Sequence, residues 1–421
     1  MTRMEKLSRL DARRHKGIPL GTSPEIERIV EARWSIANGD TSTPIATLSH
    51  SALHSNIVAM QEWCDRHGVS LAPHAKTALS AELVGLQLEY GAWGLTAALP
   101  RQVALLWEFG ATKVLLANEV TDPAAIRWLS SSLAEDSRRR LLLYADSLDS
   151  VTLVSEALRD LTDPQPLEIL VELGYSGGRT GARSIADAIG VAEAVIRSPY
   201  LRLAGVAGYE GTISADRLPD ALHEVDQFLD DLATLAIALA GRFEVTEPIV
   251  SAGGSLYFDR VVRAFDRLGP SIGARVVLRS GCYLIHDHGL YARGTPSNQG
   301  VADAPILTPA LSVWTRIVSM PESGLALLDA GRRDVSHDAG LPTPLERVRN
   351  GQRLGLSGAG VSVSGLSDQH AFLRYPLGLD FELGDMIRLG ISHPCTTLDH
   401  WRALLVINDD DEVIAAITTE F

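Results

Sequence analysis

The chain has 421 residues, 46% of them hydrophobic and 21% charged, which is enough for two globular domains with sizeable cores. Its formal net charge of −14 argues against a nucleic-acid partner, whose phosphates it would repel, and gives no support to binding at an anionic membrane. The three cysteines cannot all pair within one chain, which indicates a reducing, cytoplasmic location. The N-terminus predicts no signal peptide, and no apolar run is long enough to cross a bilayer.

Residues 1–50 predict an N-terminal extension that ends in a strand. A helix is expected over 25–36, where Pro24 suits the first turn and Asn38-Gly39-Asp40 ends the segment. The apolar run 44–50 predicts a strand that pairs with a C-terminal β domain. An amphipathic helix over 51–67 follows.

Short apolar strands then alternate with longer helical segments, the pattern of a parallel sheet. The predicted strands are 70–76, 94–98, 113–118, 140–146, 167–173, 203–209, 248–252 and 275–280. Eight such units favour an α/β fold with a (β/α)8 TIM-type barrel, over 51–293, against the alternative of a doubly wound open sheet.

The alternation stops near Asp287. Residues 294–305 have the composition of a loop. Short β-like runs with turns follow, over 311–318, 324–328, 351–356, 386–391, 401–407 and 412–418. Because helical periodicity is scarce there, residues 294–421 predict a second, mostly antiparallel β domain.

Lys76 lies at the predicted C-terminal end of the first barrel strand, in Pro73-His74-Ala75-Lys76-Thr77. Sites in barrels form at the carboxyl ends of the strands, so this lysine is well placed to hold a cofactor as a Schiff base. The alternative is a strand-end lysine that extends its charge to solvent.

Glycine-rich turns follow the later strands. Gly253 and Gly254 follow the seventh strand and Gly281 the eighth, where backbone N–H groups can approach a phosphate. A lysine near a phosphate site without a nucleotide-binding motif favours pyridoxal 5'-phosphate (PLP). Ordinary turn glycines are the alternative.

A second polar group lies near the C-terminus, in Ser392-His393-Pro394-Cys395-Thr396-Thr397. On an extended segment, His393 and Cys395 would point the same way, and both suit Zn²⁺. Taken alone, a buried cysteine beside a hydrogen-bonded histidine explains the pair better, because structural zinc normally takes four protein ligands. His370 and the run 334–338 are other polar candidates, each better explained as a solvated loop.

Together these motifs resemble the PLP-dependent, alanine-racemase-like fold-type III enzymes of the D-serine dehydratase and D-threonine aldolase family. The likeness extends over about 44–401. Residues 73–77 resemble the family's Pro-His-x-Lys-Thr, whose lysine holds PLP, and 172–181 its turn with an arginine near the PLP phenolic oxygen, here Arg179. The remaining matches are Tyr209 at the pyridine nitrogen, the phosphate and ring contacts Gly253, Gly254, Gly281 and Tyr283, and the metal motif 392–397.

The resemblance implies a dehydratase that eliminates water from a D-β-hydroxy amino acid, with Zn²⁺ on His393 and Cys395. Aldolases of the family typically have an aspartate in place of this cysteine. A D-threonine aldolase, a racemase and a non-catalytic PLP-binding protein remain alternatives. The resemblance also implies a homodimer in which His393 and Cys395 face the PLP of the partner chain. Ala78-Leu79 replaces the family's usual His-Lys after the PLP lysine.

Overall fold

The computed structural model describes residues 9–265 and 268–421. Eighteen strands are found in this part of the chain. They are β1 (Ile45–Ser49), β2 (Ser70–Leu71), β3 (Leu95–Ala97), β4 (Lys113–Leu116), β5 (Arg140–Ala145), β6 (Leu167–Leu173), β7 (Leu201–Gly208), β8 (Ile249–Ala252), β9 (Arg275–Leu278), β10 (Leu311–Glu322), β11 (Leu325–Leu328), β12 (Thr343–Arg349), β13 (Gln352–Gly355), β14 (Ser362–Leu366), β15 (Ala371–Arg374), β16 (Met386–Gly390), β17 (Ala403–Ile407) and β18 (Val413–Thr418).

The described α-helices flank these strands. They are α1 (Ile26–Glu31), α2 (His50–Arg66), α3 (Ala81–Glu89), α4 (Pro100–Glu108), α5 (Pro123–Ala134), α6 (Leu148–Arg159), α7 (Ile185–Arg197), α8 (Pro219–Leu239), α9 (Phe258–Phe265), α10 (Leu268–Ser271), α11 (Leu290–Gly294) and α12 (Pro394–Leu398). None of those described has the length and apolar character needed to cross a membrane.

Strands β2 to β9 form one parallel sheet in the order β2-β9-β8-β7-β6-β5-β4-β3, which confirms the predicted barrel. At the seam between β2 and β3 the barrel is nearly closed: Thr96 N–H donates to the Pro73 carbonyl, and Trp93 N–H donates to that of Leu71. Successive strand residues alternate between two cores, as a closed sheet requires. Leu115 and Leu142 fill the interior, whereas Val114 and Leu141 face the helices.

The first barrel strand is much shorter than the predicted 70–76. Only Ser70 and Leu71 pair as a strand, and a 3₁₀ turn over Ala75–Thr77 carries Lys76. Pro73 has no N–H to donate to a neighbouring strand, which explains why regular pairing stops before it. Lys76 therefore projects from a turn above the barrel, not from the strand itself.

The second sheet follows the order β13-β12-β16-β10-β1-β17-β18, with β11, β15 and β14 as a branch from β10. Its pairs are antiparallel except for β1 with β17. As expected, the strand before the barrel pairs with this sheet, whereas the limits 1–50, 51–293 and 294–421 themselves remain a prediction. The extension covers one sheet face: Leu10, Ile18, Ile29 and Ile36 pack with Trp314.

Candidate active site and metal pair

A cavity of about 560 Å³ lies between the carboxyl ends of the barrel strands and the segment that follows β16. Its volume is in the range of small-molecule sites. Its polar lining residues include His74, Lys76, Asn118, Tyr144, Glu172, Arg179, Tyr209, Arg279, Cys282, Tyr291, His393 and Cys395. The predicted lysine and the predicted metal pair therefore lie in one cavity of one chain.

Lys76 is exposed to this cavity, and its amine takes part in no hydrogen bond or ion pair among the described residues. The loop that carries it is held from both sides. His74 Nδ1 accepts the Lys76 N–H at 3.4 Å, and a Cβ on Gly281 would lie only 2.4 Å from the His74 carbonyl oxygen. Gly281 thus permits the turn after β9 to pack against the Lys76 loop.

The two residues after this loop, which depart from the family's motif, are buried. Leu79 is fully buried with a φ of +40°, a conformation that non-glycine residues seldom adopt. Its carbonyl accepts the Glu420 N–H at 2.9 Å, and Arg101 Nη1 donates to the Glu420 carbonyl at 3.0 Å. Ala78 and Leu79 therefore anchor the lysine loop to the core and to the C-terminal segment.

Arg179 projects into the cavity from the glycine-rich turn after β6, and its guanidinium lies 5.3 Å from the centre of the Tyr209 ring. Arg183 fixes this turn by donating to the carbonyls of Gly178 and Thr180. Burial, reinforced by Glu210, raises the pKa of Tyr209 to about 12, so its hydroxyl stays protonated at neutral pH.

The predicted phosphate loop has a hydrogen-bond partner within the protein. Glu210 is fully buried, and its carboxylate accepts the N–H groups of Gly253 (3.1 Å) and Gly254 (2.8 Å). Gly253 adopts a φ of +95°, which glycine tolerates best. It does not line the cavity, whereas Gly254 does.

Free N–H groups lie next to this loop. Ser255 and Leu256, just before α9, line the cavity together with Gly281 and Cys282. Among the described residues, no hydrogen bond uses the backbone N–H of any of these four. A run of unpaired N–H groups before a helix suits a phosphate, so the cavity fits this part of PLP.

Tyr283, the remaining predicted cofactor contact, points elsewhere. Its ring is buried in the core, and Gln87 Nε2 donates to its hydroxyl at 3.3 Å. In the described structure it does not line the cavity. The turn after β9 directs Cys282, not Tyr283, towards the cavity, and the ring contact of Tyr283 stays a prediction.

His393 and Cys395 are positioned by a helix start, not by the extended segment expected from the sequence. His393 precedes α12 and Cys395 lies in its first turn, yet both side chains reach the cavity. Cys395 Sγ lies 3.4 Å from the Thr77 hydroxyl, one residue from Lys76. The pair therefore lies against the Lys76 loop of its own chain, and the expectation that it faces the PLP of a partner chain stays a prediction.

The reason is a direct backbone connection between the two domains. His288 N–H donates to the Ile391 carbonyl, and Leu290 N–H donates to that of Ser392. These bonds hold the segment after β16 against the last turn of the chain's own barrel.

His393 has the partner typical of a metal-binding histidine. Asp338 Oδ2 lies 2.7 Å from His393 Nδ1, and the Thr396 hydroxyl donates to the other carboxylate oxygen. Such a carboxylate orients the ring and leaves Nε2 for a metal. Burial lowers the pKa of His393, but contacts with Cys395 and Asp338 outweigh burial and raise it to about 9. Among the described residues, no group of three or more His, Cys, Asp or Glu has metal-binding geometry, so the pair would supply two ligands.

Sequence reasoning missed several residues of the cavity. Arg279 is buried, donates to Ser251 Oγ and the Gly208 carbonyl, and lies over the Tyr144 ring. Glu119 does not line the cavity itself but lies near Glu172, which does; burial and the Glu172 carboxylate raise the pKa of Glu119 to about 8. Each of these residues lies at or just after the end of a predicted strand, and this position is the signal in the sequence that could have found it.

Comparisons with known proteins place the chain in a family and agree with its fold. Residues 48–263, just over half of the chain, match the family model "Alanine racemase, N-terminal domain", and residues 310–407 match "Putative serine dehydratase domain". A D-threonine aldolase from Arthrobacter sp is 25% identical over 371 residues, which cover 87% of this chain and 89% of that protein.

Two further comparisons cover nearly whole proteins. A D-threo-3-hydroxyaspartate dehydratase from Delftia sp. (strain HT23) is 27% identical over 394 residues, 88% of this chain and 95% of that protein. The crystal structure of D-threonine aldolase from Filomicrobium marinum superposes with a TM-score of 0.76 at 25% identity, covering 90% of this chain and 95% of that one. The chain therefore belongs to the alanine-racemase-like, fold-type III family and is similar within it to D-threonine aldolases and to D-threo-3-hydroxyaspartate dehydratase.

Proposed function

We propose that the protein is a PLP- and zinc-dependent lyase that eliminates water from a D-β-hydroxy amino acid to give a keto acid and ammonia. The observation that carries the proposal is the meeting of two functional groups in one cavity. Lys76 and the pair His393 and Cys395 line the same space, and Thr77 links them through its contact with Cys395.

The residues present fit PLP. Lys76 supplies a free amine, Arg179 a cation over the Tyr209 ring, and the turns at 255–256 and 281–282 unpaired N–H groups for a phosphate. When bound there, PLP would supply the electron sink for the electron pair left at the substrate Cα.

Lys76 is the proposed base that removes the Cα proton. Its amine is inside the cavity and has no competing acceptor among the described residues, so it is available for proton transfer. The phenolic hydroxyl of Tyr209 keeps its proton at neutral pH, so it would act as a hydrogen-bond donor and not as a competing base.

The other end of the cavity would handle the leaving group. His393 and Cys395 combine a nitrogen and a sulfur donor, a set that suits Zn²⁺ better than Mg²⁺. When bound there, Zn²⁺ would act as a Lewis acid on the β-hydroxyl and make it a better leaving group. Asp338 fixes the His393 ring for this task.

A retro-aldol reaction is the second candidate, because the D-threonine aldolases are similar over most of the chain. The same base would then take a proton from the β-hydroxyl, and the Cα–Cβ bond would break to give glycine and an aldehyde. Cys395 favours elimination, because aldolases of the family typically have an aspartate at this position. The likeness to aldolases favours cleavage of the Cα–Cβ bond.

A product assay separates the two reactions. Purified protein is incubated with D-serine, D-threonine and D-threo-3-hydroxyaspartate, with and without Zn²⁺, and keto acid plus ammonia is measured against glycine plus aldehyde. Keto acid and ammonia as the main products from the D isomers would support the dehydratase. Glycine as the main product would reject it in favour of the aldolase.

A homodimer in the cytoplasm completes the proposal. Because His393 and Cys395 reach the cavity of their own chain, dimerisation is not needed to supply this pair. Light scattering during size-exclusion chromatography tests the dimer directly.

A further inference from the structure

Two of the three cysteines meet at the end of the cavity that holds His393 and Cys395, called the metal end below. The Sγ atoms of Cys282 and Cys395 lie 3.3 Å apart, and both contact the Thr77 hydroxyl, at 3.7 and 3.4 Å. Cys282 is 5% exposed and follows barrel strand β9, whereas Cys395 belongs to α12. Both line the cavity, so a small reagent that enters it can reach them.

We propose that Cys282 and Cys395 form a reversible disulfide that closes the metal end of the cavity under oxidising conditions. The sulfurs must approach by roughly 1.3 Å to reach the bond length of a disulfide, a movement of the scale of a side-chain rotation. Cys64, the third cysteine, is fully buried on α2 and does not line the cavity.

The chemistry balances with a peroxide as the oxidant. The Cys395 sulfur attacks one peroxide oxygen, breaks the O–O bond and becomes a sulfenic acid, with one water released. The Cys282 sulfur then attacks that sulfur and releases a second water. The two sulfurs lose two electrons in total, and hydrogen peroxide is reduced to two waters.

The bond would have two structural effects. It would join the barrel covalently to the β domain, because the two residues are separated by 113 positions in the chain. It would also remove the thiolate from Cys395, so the pair with His393 could no longer hold a soft metal. The second effect rests on the proposed function, whereas the disulfide itself does not.

Cys282 gives the oxidation a reversible outcome. A thiol oxidised without a neighbouring cysteine proceeds to sulfinic and sulfonic acids, whereas a nearby thiol captures the sulfenic acid. Disulfides in reducing compartments are characteristically transient, and thiols restore the reduced form.

The test is thiol mapping of the full-length protein. The reduced, metal-free chain is treated with hydrogen peroxide, denatured, alkylated with N-ethylmaleimide, digested and analysed by mass spectrometry. We expect loss of two of the three thiols, a mass decrease of 2 Da before alkylation, a peptide linking Cys282 to Cys395, and full reversal by dithiothreitol. Cys64 should remain alkylated in the same sample, which makes it an internal control.

Two variants sharpen the result. Cys282→Ser should form no internal link, and its Cys395 should progress to irreversible oxidation. Cys64→Ala should still lose two thiols. The inference is overturned if the wild-type chain keeps all three thiols, or if Cys395 is overoxidised while Cys282 stays free.

A zinc-loaded arm separates the disulfide from the metal proposal. Zn²⁺ on Cys395 should slow formation of the linked peptide at least tenfold. An unchanged rate, with the link still formed, would support the disulfide and count against Cys395 as a ligand.

Discussion

The two ends of the cavity, called the cofactor end and the metal end after the ligands proposed above, are built in different ways. The cofactor end consists of the carboxyl ends of eight parallel strands, and its polar groups are tied to them by short bonds such as those of Arg279 to Ser251 and Gly208. The metal end depends on one short segment, 391–398, which is held by backbone bonds to His288 and Leu290 and by contacts with Ser336. The barrel thus holds the cofactor end in place through many strands. The β domain supplies the metal end through one short segment.

This difference predicts that changes at the cofactor end abolish function, whereas changes at the metal end produce graded effects. Substitution of Lys76 tests the first half. Lys76→Ala should remove the visible absorbance of bound PLP and lower activity roughly 10³-fold or more, because it removes both the anchor and the base. Spectra of the dialysed protein and product assays measure the two losses.

Lys76→Arg is the matched control, since it keeps the positive charge but cannot form the covalent link. If Lys76→Arg retains the PLP spectrum, Lys76 is only a cavity cation and the anchor assignment fails.

Removal of the metal ligands tests the second half of the comparison. Cys395→Ala and His393→Ala should each lower dehydratase activity roughly 10²-fold or more, because the hydroxyl leaves without a Lewis acid. Bound PLP and its absorbance should remain. Chelation of the wild-type protein should reproduce the effect. Undiminished elimination in metal-free protein would rule out the metal step.

Asp338 should have a smaller effect, because it only orients His393. Asp338→Asn should weaken Zn²⁺ binding roughly 10–100-fold with little change in PLP absorbance. Competition with a chromophoric chelator measures the affinity. Asp231→Asn, which removes one exposed carboxylate from barrel helix α8, is the matched control and should leave Zn²⁺ affinity unchanged.

The pH should modulate the metal end in a known direction. His393 has a pKa of about 9 in the metal-free protein, so at lower pH its proton competes with the metal. Zn²⁺ affinity should therefore fall about tenfold for each pH unit between 8 and 6. Titration at several pH values tests this, and a flat profile would contradict a role for His393 as ligand.

Glu119, which lies near the cavity residue Glu172, tests the surroundings of the cofactor end through stability, with the smallest expected effect. Its folded pKa of about 8 exceeds its ordinary value of 4.5, so the folded state holds a proton that the unfolded state releases. Wild-type stability should therefore fall as pH rises from about 4.5 to 8. Glu119→Gln cannot ionise and should gain at least about 1 kcal/mol relative to wild type between pH 5 and 8.

Urea unfolding at the two pH values measures that gain. Glu62→Gln, an exposed change on α2, is the control and should show no such pH dependence.

The barrel could be predicted from the sequence because its strands are largely buried on both faces and appear as short, mostly apolar runs. Strand β6 matches its predicted limits, and the neighbouring strands differ by one or two residues at an end. In the β domain the same rule fails for β12, where charged residues alternate with apolar ones on a partly exposed surface. Strands β14 and β15 were missed for a similar reason: each has an exposed face.

The cavity was predictable only where one fold rule applied. Lys76, Arg179 and Gly281 follow barrel strands, so the barrel rule gathers them at one end. The position of His393 depends on how the β domain packs on the barrel, and no local pattern records that packing. Glu210 accepts the N–H groups of Gly253 and Gly254, which lie more than forty residues away in the chain, so its role could not be read locally.

Helix α1 is also shorter than expected, since Arg33 adopts a φ of +50° just beyond its end.

The bond between Leu79 and Glu420 has a practical consequence for handling the protein. The backbone that supports the Lys76 loop is fastened to the penultimate residue of the chain, so peptide fused after Phe421 would be attached next to this contact. A purification tag fused there should lower cofactor loading relative to the untagged chain. A low PLP content in a C-terminally tagged preparation should therefore be attributed to the tag first, and only then to the residues of the site.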